Sequence, residues 1–291
     1  MARPKSSSLK TPRQVVGEGK PKPDIDLDQL GGKSAIGLPE LSLWKAEVVR
    51  VTVFPDPNPS TMMEGWWSSV VGEPPETRNS QPRLGVVQET GAFLGGILTL
   101  NVTPLRVDWI LSVSITPSGS ESGLPVLGDL TKIVESFCSR LNVWFDLAPP
   151  IKRLAFGCVG LQEVAGQKEG YRLLGKYLPA VTVDPEGSSE FLYQINRPRP
   201  STVIDGLTIN RLMKWSVART QGVSMQLVLT PDAPGGVVSG MPMPEFLAVR
   251  SELDINTSPK WAKAFAKPRL ASILGELVGL GLEIVARGDV P

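Results

Sequence analysis

A chain of 291 residues, 41% of them apolar and 20% charged, is long enough for one large domain or two of ordinary size. Its formal net charge of +1 gives no overall field to attract nucleic acid or an anionic membrane, and no apolar run is long enough to span a bilayer. The chain has no histidine, which excludes Ser-His-Asp and Cys-His nucleophile systems and histidine-ligated metals.

Residues 1–38 predict a flexible or partner-bound arm, because they are basic, rich in Pro, Ser and Gly, and without apolar periodicity. No apolar h-region follows the first basic residues, so we expect no secretory signal. The stretch "GGKS" lacks the preceding strand and the first glycine of a P-loop. The stretch "DIDLD" lacks an EF-hand's essential glycine and final glutamate, since Gln29 and Ala35 stand there.

The segment 39–148 predicts a first α+β half. "VVRVTVF", "LGVVQET" and "GILTLNV" have strand character, and "LRVDWILSVSI" alternates most regularly, with Leu105 to Ile115 apolar at every second position. After a Gly/Ser/Pro break, apolar residues recur at helical spacing over 124–144. We expect an antiparallel meander with that helix covering one face.

Trp66 and Trp67 lie in a long Pro-rich connection within this half. Connections of this length tend to be functional or to cover a surface. Because neighbouring residues of an extended chain point apart, we expect at most one of the two indoles to be buried. Packing within the chain is the favoured interpretation. The alternative makes both tryptophans partner-binding candidates.

The segment 149–291 repeats this order. It predicts a strand "IKRLAFGCVGLQEV", a short helix, three strands "EFLYQINR", "LTINRLMKWSV" and "SMQLVLT", a loop "PDAPGGVVSGMPMP" and a further strand. Helices are expected over 259–286, with Ser258 as N-cap and Pro268 restarting the helix. The predicted fold class is α+β, with antiparallel sheets covered by helices. Two similar α+β halves are one arrangement, and a single larger sheet is the competing one.

Arginines stand out between two of the predicted strands. Arg197 and Arg199 alternate with prolines in a connection, so we expect them to be exposed. Arg211 lies on a strand with the same parity as Ile209 and Met213. All three arginines are candidate partner-binding residues.

Two cysteines, Cys138 and Cys158, are too few for a cysteine-ligated zinc site within one chain. Both fall on predicted core faces, so we expect buried free thiols and a reducing, cytoplasmic setting. Asp108 and Asp254 lie on polar strand faces, where acids are ordinarily solvated, and a catalytic role is the less favoured interpretation. No cofactor, metal or small-molecule site is predicted.

Three functions remain. The leading hypothesis is a non-catalytic interaction or structural subunit of an intracellular multi-protein assembly, with a protein partner or self-association and no membrane. The second is a nucleic-acid-binding protein that uses the basic arm and the arginines of 197–219, against which the neutral total charge argues. The third is a histidine-free hydrolase or transferase that uses paired carboxylates.

Overall fold

The structure, a computed structural model, describes residues 37–56, 59, 63–114, 123–228 and 237–290, and only the backbone of 220–228 and 237–244. The predicted arm at 1–38 therefore lies outside the described residues, apart from its last two positions. The "GGKS" and "DIDLD" stretches also lie outside them.

Eleven strands of the described chain form one antiparallel sheet. The strands are β1 (Lys45–Pro55), β2 (Thr77–Gln81), β3 (Val86–Phe93), β4 (Gly96–Val102), β5 (Val107–Ser112), β6 (Gly128–Asp129), β7 (Ile151–Val164), β8 (Leu192–Asn196), β9 (Arg199–Pro200), β10 (Thr208–Val228) and β11 (Val237–Thr257). Their order is β2-β3-β4-β5-β1-β7-β11-β10-β8, with β6 beside β1 and β9 beside β10.

Helices complete the α+β fold and confirm the predicted class. They are α1 (Trp66–Val71), α2 (Leu130–Trp144), α3 (Gln167–Tyr177) and α4 (Lys267–Arg287). The carboxylate of Asp129 caps α2 by accepting a hydrogen bond from the Lys132 amide at 3.1 Å. Pro268 lies in the first turn of α4, where its missing N–H costs nothing. None of these described helices is both long and apolar enough to cross a membrane.

The sheet has two unlike faces because side chains alternate along each strand. On the covered face, Val49, Val51 and Val53 of β1 are fully buried, and the buried side chains of all four helices belong to the same core. Helix α2 packs on β1, and α4 packs on β7 and β11. The opposite face, which we call the open face, carries accessible side chains such as Val48 and Arg50.

The sheet continues across the predicted boundary between 39–148 and 149–291, because β1 pairs with β7 from Lys45 to Pro55. Both halves nevertheless connect their strands alike. In each half the first strand, β1 or β7, lies at the centre of the sheet, and the last strand, β5 or β11, lies beside it. The earlier strands follow outward, and a long helix, α2 or α4, ends the half. The division into two similar halves stays a prediction, and this connectivity supports it.

Several predicted elements differ from the observed ones. Leu105 is 78% exposed, since β5 begins only at Val107. The two predicted strands "LTINRLMKWSV" and "SMQLVLT" belong to one strand, β10. The described part of the predicted loop "PDAPGGVVSGMPMP", residues 237–244, belongs to β11. The helix predicted from residue 259 begins at Lys267. Before it, Ser258 accepts a hydrogen bond from the Lys260 amide in a turn, at 3.2 Å.

Candidate binding groove on the open face

A groove of about 540 Å³ crosses the open face at the centre of the sheet. Its walls come from β5, β1, β7, β11, β10 and β8, which are neighbours in the sheet but far apart in sequence. Apolar and charged side chains are both represented. Those that project into it from the open face are Val48, Arg50, Ile110, Val159, Gln194, Leu212, Lys214, Glu252 and Asp254, above a floor at Gly157.

Gly157 at the floor leaves room for the guanidinium of Arg50, its neighbour in the β1–β7 register. A Cβ atom at residue 157 would lie 3.2 Å from a guanidinium nitrogen of Arg50 and 3.2 Å from the carbonyl oxygen of Leu253. The Arg50 guanidinium lies 3.5 Å from the carboxylate of Asp254. A side chain at residue 157 would therefore displace the cation as well as fill the groove.

An amide ladder fixes Asp254 from the other side. Asn196 donates to Asn210 at 3.3 Å, Asn210 donates to Asn256 at 3.0 Å, and Asn256 donates to Asp254 at 2.9 Å. Each step joins side chains that the register places close together on β8, β10 and β11. Asp254 is thus held between an amide and a guanidinium, and its orientation is set before any ligand arrives.

A second network holds the groove's other acid, Glu252. Lys214 and Arg250 donate to the same carboxylate oxygen of Glu252, at 3.2 Å and 3.0 Å, and Arg250 also donates to Glu47 at 2.5 Å. Burial raises the pKa of Glu252, but the hydrogen bonds from Arg250 and Lys214 outweigh burial, and the pKa is lowered. A carboxyl with a lowered pKa stays ionised near neutral pH and does not suit the role of general acid.

The two networks balance in charge. The cations Arg50, Lys214 and Arg250 face the carboxylates of Glu47, Glu252 and Asp254. A balanced surface attracts neither a polyanion nor a polycation by its net field. It does favour a ligand that offers charges of both signs beside apolar groups.

A smaller hollow of about 180 Å³ extends this surface towards the β2 edge and shares Ile110 with the groove. Most of its lining is uncharged and polar. The residues are Asn79, Gln81, Val86, Gln88, Thr99, Asn101 and Ile110. The open face therefore offers hydrogen-bonding groups well beyond the charged centre.

The structure does not bring Asp108 and Asp254 together as a catalytic pair. Two strands, β1 and β7, lie between their strands, so the two positions are at least about 14 Å apart at about 4.8 Å per step. Asp108 is buried, accepts a hydrogen bond from Thr52 at 2.7 Å and lies 2.8 Å from the Nε atom of Arg106. These contacts give Asp108 a structural role. Among the described residues, no cluster of acids and cysteines could hold a metal ion.

Trp66 and Trp67 are both buried, so the expectation that at most one would be buried was wrong. The reason is that they open helix α1 and do not lie on an extended segment. The Trp66 ring contacts Trp144 edge to face at 5.3 Å, and the Trp67 ring stacks on Trp109 at 6.3 Å. Both indoles pack within the chain, as the favoured interpretation had it, and neither offers a surface to a partner.

Arg197 and Arg199 are half-buried, so the prediction that they are exposed was also wrong. The end of α4 supplies their partners. Arg197 donates to both carboxylate oxygens of Asp289, at 2.8 Å and 2.7 Å, and Arg199 donates to Glu283 at 2.8 Å. These contacts tie the loop between β8 and β10 to the C-terminal helix.

Arg211 lies on the covered face and is fully buried. Its nearest counter-charge is Glu283, at 3.7 Å, and its three guanidinium nitrogens have no hydrogen-bond partner among the described residues. Burial lowers the pKa of Arg211. The three arginines thus lie close together on the covered side of the sheet, next to the carboxylates of Asp289 and Glu283.

Cys138 and Cys158 are buried and free, which confirms that prediction. Burial raises the pKa of both thiols, that of Cys158 to about 12, so neither is a reactive thiolate near neutral pH.

Sequence reasoning missed the groove itself. The signal it could have used is the polar residue at every second position of β1, β10 and β11, which places Arg50, Lys214 and Glu252 on one face. That signal says nothing of which strands are neighbours, and the groove exists only through their order in the sheet. No protein-family model and no curated protein matches this chain.

Proposed function

We propose that the protein is a non-catalytic interaction subunit of an intracellular multi-protein assembly, and that the groove on the open face is where a polypeptide partner binds. The observation that supports this proposal is the groove's preorganised, charge-balanced lining. Each acid is already tied to a cation or an amide, as Glu252 is to Lys214 and Asp254 is to Asn256. Side chains fixed in this way suit recognition, because less conformational freedom is lost on binding.

A polypeptide fits the composition of this surface. Apolar residues such as Val48, Ile110 and Leu212 lie beside charges of both signs, which is what an extended segment with mixed side chains requires. The free buried thiols support an intracellular setting.

The nucleic-acid alternative has less support. Arg197, Arg199 and Arg219 are each paired with a carboxylate, and Arg211 is buried. Phosphate binding depends on accessible, clustered cations. The basic arm, which carries the rest of that hypothesis, lies outside the described residues.

The test is affinity purification of the native protein in parallel with two variants. Leu212→Arg places a bulky cation in the groove, and Leu105→Arg adds the same side chain at an exposed position outside it. We expect a specific set of co-purifying proteins to be lost with Leu212→Arg and kept with Leu105→Arg. For the isolated partner, the loss should be about 2 kcal/mol, roughly thirtyfold in affinity.

Thermal unfolding of both variants checks whether either change disrupts the fold, and we expect both to stay folded. Two results would contradict the proposal. One is recovery of the wild-type protein with no specific partner, and the other is equal binding by the wild type and Leu212→Arg.

A further inference from the structure

Strands β10 and β11 continue past the rest of the sheet as a two-stranded ribbon. The last β10 residue that pairs with β8 is Ser216, and the last β11 residue that pairs with β7 is Leu247. Beyond them, β10 and β11 pair with each other as far as Val228 and Val237, and neither has another strand partner among the described residues. The free stretch of β10, residues 217–228, is about 37 Å long at about 3.4 Å per residue.

The two outer edges of this ribbon differ. On β11, Pro242 lacks the N–H that a further strand would need. The same strand also has a β-bulge. Between the Gln221–Glu245 and Val223–Pro242 pairs, the single residue Gly222 of β10 faces residues 243 and 244 of β11. Proline and bulges are the devices by which proteins block strand edges. The β10 edge has neither proline nor an extra residue of its own.

Charge, the other common protection of an edge, is nearly absent here. Between Arg219 and Glu245, which pair with each other at the ribbon's base, the only charged residue is Asp232. The edge strand β2, at the other end of the sheet, is only five residues long, fully exposed and polar, and contains Arg78. Beyond Arg219 the β10 edge is therefore long, unblocked and uncharged, and such an edge is a template for another strand.

We propose that two copies of this chain pair antiparallel through residues 217–228 of β10, which makes one sheet continuous across a two-fold dimer. A two-fold contact between copies sets this edge against itself, so a second copy fits only if the edge does not repel its own kind. A charged edge would then oppose like charges, and residues 220–228 carry none. This inference is independent of the groove and of any partner that the groove binds.

The backbone identifies which residues supply the pairing groups. The carbonyl of Arg211 accepts a hydrogen bond from the Arg197 amide, so the odd-numbered residues of β10 point their backbone groups away from β11. The pairing of Val223 with Pro242 agrees, because a proline cannot donate across the pair. Met225, two residues further on, has its N–H at the outer edge.

Proline scanning of the full-length chain tests this inference by sedimentation velocity over a concentration series. We expect the wild type to be a dimer. Met225→Pro should raise the dimer dissociation constant at least tenfold, because the substitution removes an outward N–H. Val238→Pro is the matched control. It pairs with Leu227 and removes an outward N–H from the blocked β11 edge, so it should stay dimeric.

Met225→Lys decides the case if the proline variant fails to fold, since it keeps the backbone and adds a charge to the edge. It too should shift the protein towards the monomer. A wild type that stays monomeric at about 100 µM, which means a dimer Kd weaker than about 0.1 mM, would overturn the inference. A dimer that persists with Met225→Lys, or is lost equally with Val238→Pro, would also overturn it.

Discussion

Neighbouring residues of β10 occupy two different environments, and the contrast separates what holds the fold from what is free to bind. Met213 and Trp215 lie on the covered face and are fully buried. Leu212 and Lys214, one residue earlier in each case, lie on the open face and line the groove. Stability therefore depends mainly on the odd-numbered residues of β10, which face the core. The even-numbered residues tolerate change at little cost to folding, and binding is expected there.

The largest expected difference between the faces is at residues 214 and 215. The Trp215 ring stacks on Tyr177 at 5.0 Å and meets Trp44 edge to face at 5.7 Å. We expect Trp215→Ala to lower the free energy of unfolding by about 3–5 kcal/mol, because it leaves a cavity among these rings. Urea denaturation measures this loss.

Lys214→Ala is the matched control on the open face. It removes one accessible ion pair with Glu252, and we expect a loss of about 1 kcal/mol or less. If both variants lost a similar free energy of unfolding, the covered face would not be the main source of stability, and the contrast between the faces would be wrong.

The covered face was largely predictable from sequence, and the open-face groove was not. The alternation of apolar and polar residues alone predicted that Val49, Val51, Val53 and Trp109 face the core, and all four are fully buried. The order of strands depends on contacts such as β1 with β7, which join segments about a hundred residues apart and leave no local signal. The same limit hid the partners of Arg197 and Arg199, because Asp289 and Glu283 follow them by more than eighty residues.

Arg211 shows where parity and chemistry disagreed. Its parity matched that of Ile209 and Met213 and so predicted the covered face, while its charge favoured the surface. Parity proved decisive, because a residue in the middle of a strand cannot turn over without moving every neighbour to the wrong face.

The second expected effect is a gain in stability when that buried cation is removed. Arg211→Met replaces a desolvated guanidinium with an apolar side chain, and Glu283 keeps Arg199 and Arg287 as partners. We expect the free energy of unfolding to rise by about 1–3 kcal/mol, since apolar replacement of a buried charge is often stabilising. Chemical denaturation of wild type and variant measures the change. A loss of several kcal/mol would show that Arg211 anchors α4 through Glu283.

The smallest effect, and one that depends on pH, is expected at Asp289, where the chain leaves α4. Hydrogen bonds from Arg197 lower the pKa of Asp289, with a further contribution from Tyr193 and against the opposing effect of burial. The folded state therefore favours the carboxylate, and the unfolded chain takes up the proton at a higher pH. This stabilisation is complete above the ordinary aspartate pKa of about 4 and is lost as pH falls through the lower pKa of the folded state.

Asp289→Asn removes the charge but keeps an oxygen that can accept from Arg197. We expect the variant to unfold at a lower urea concentration than the wild type at pH 7, with the gap closing as pH falls below about 4. Urea midpoints for both proteins between pH 7 and pH 3 measure this convergence. A gap that stays constant over that range would mean that the geometry of the Asp289 contacts, and not the charge, holds the C-terminal helix on the covered face.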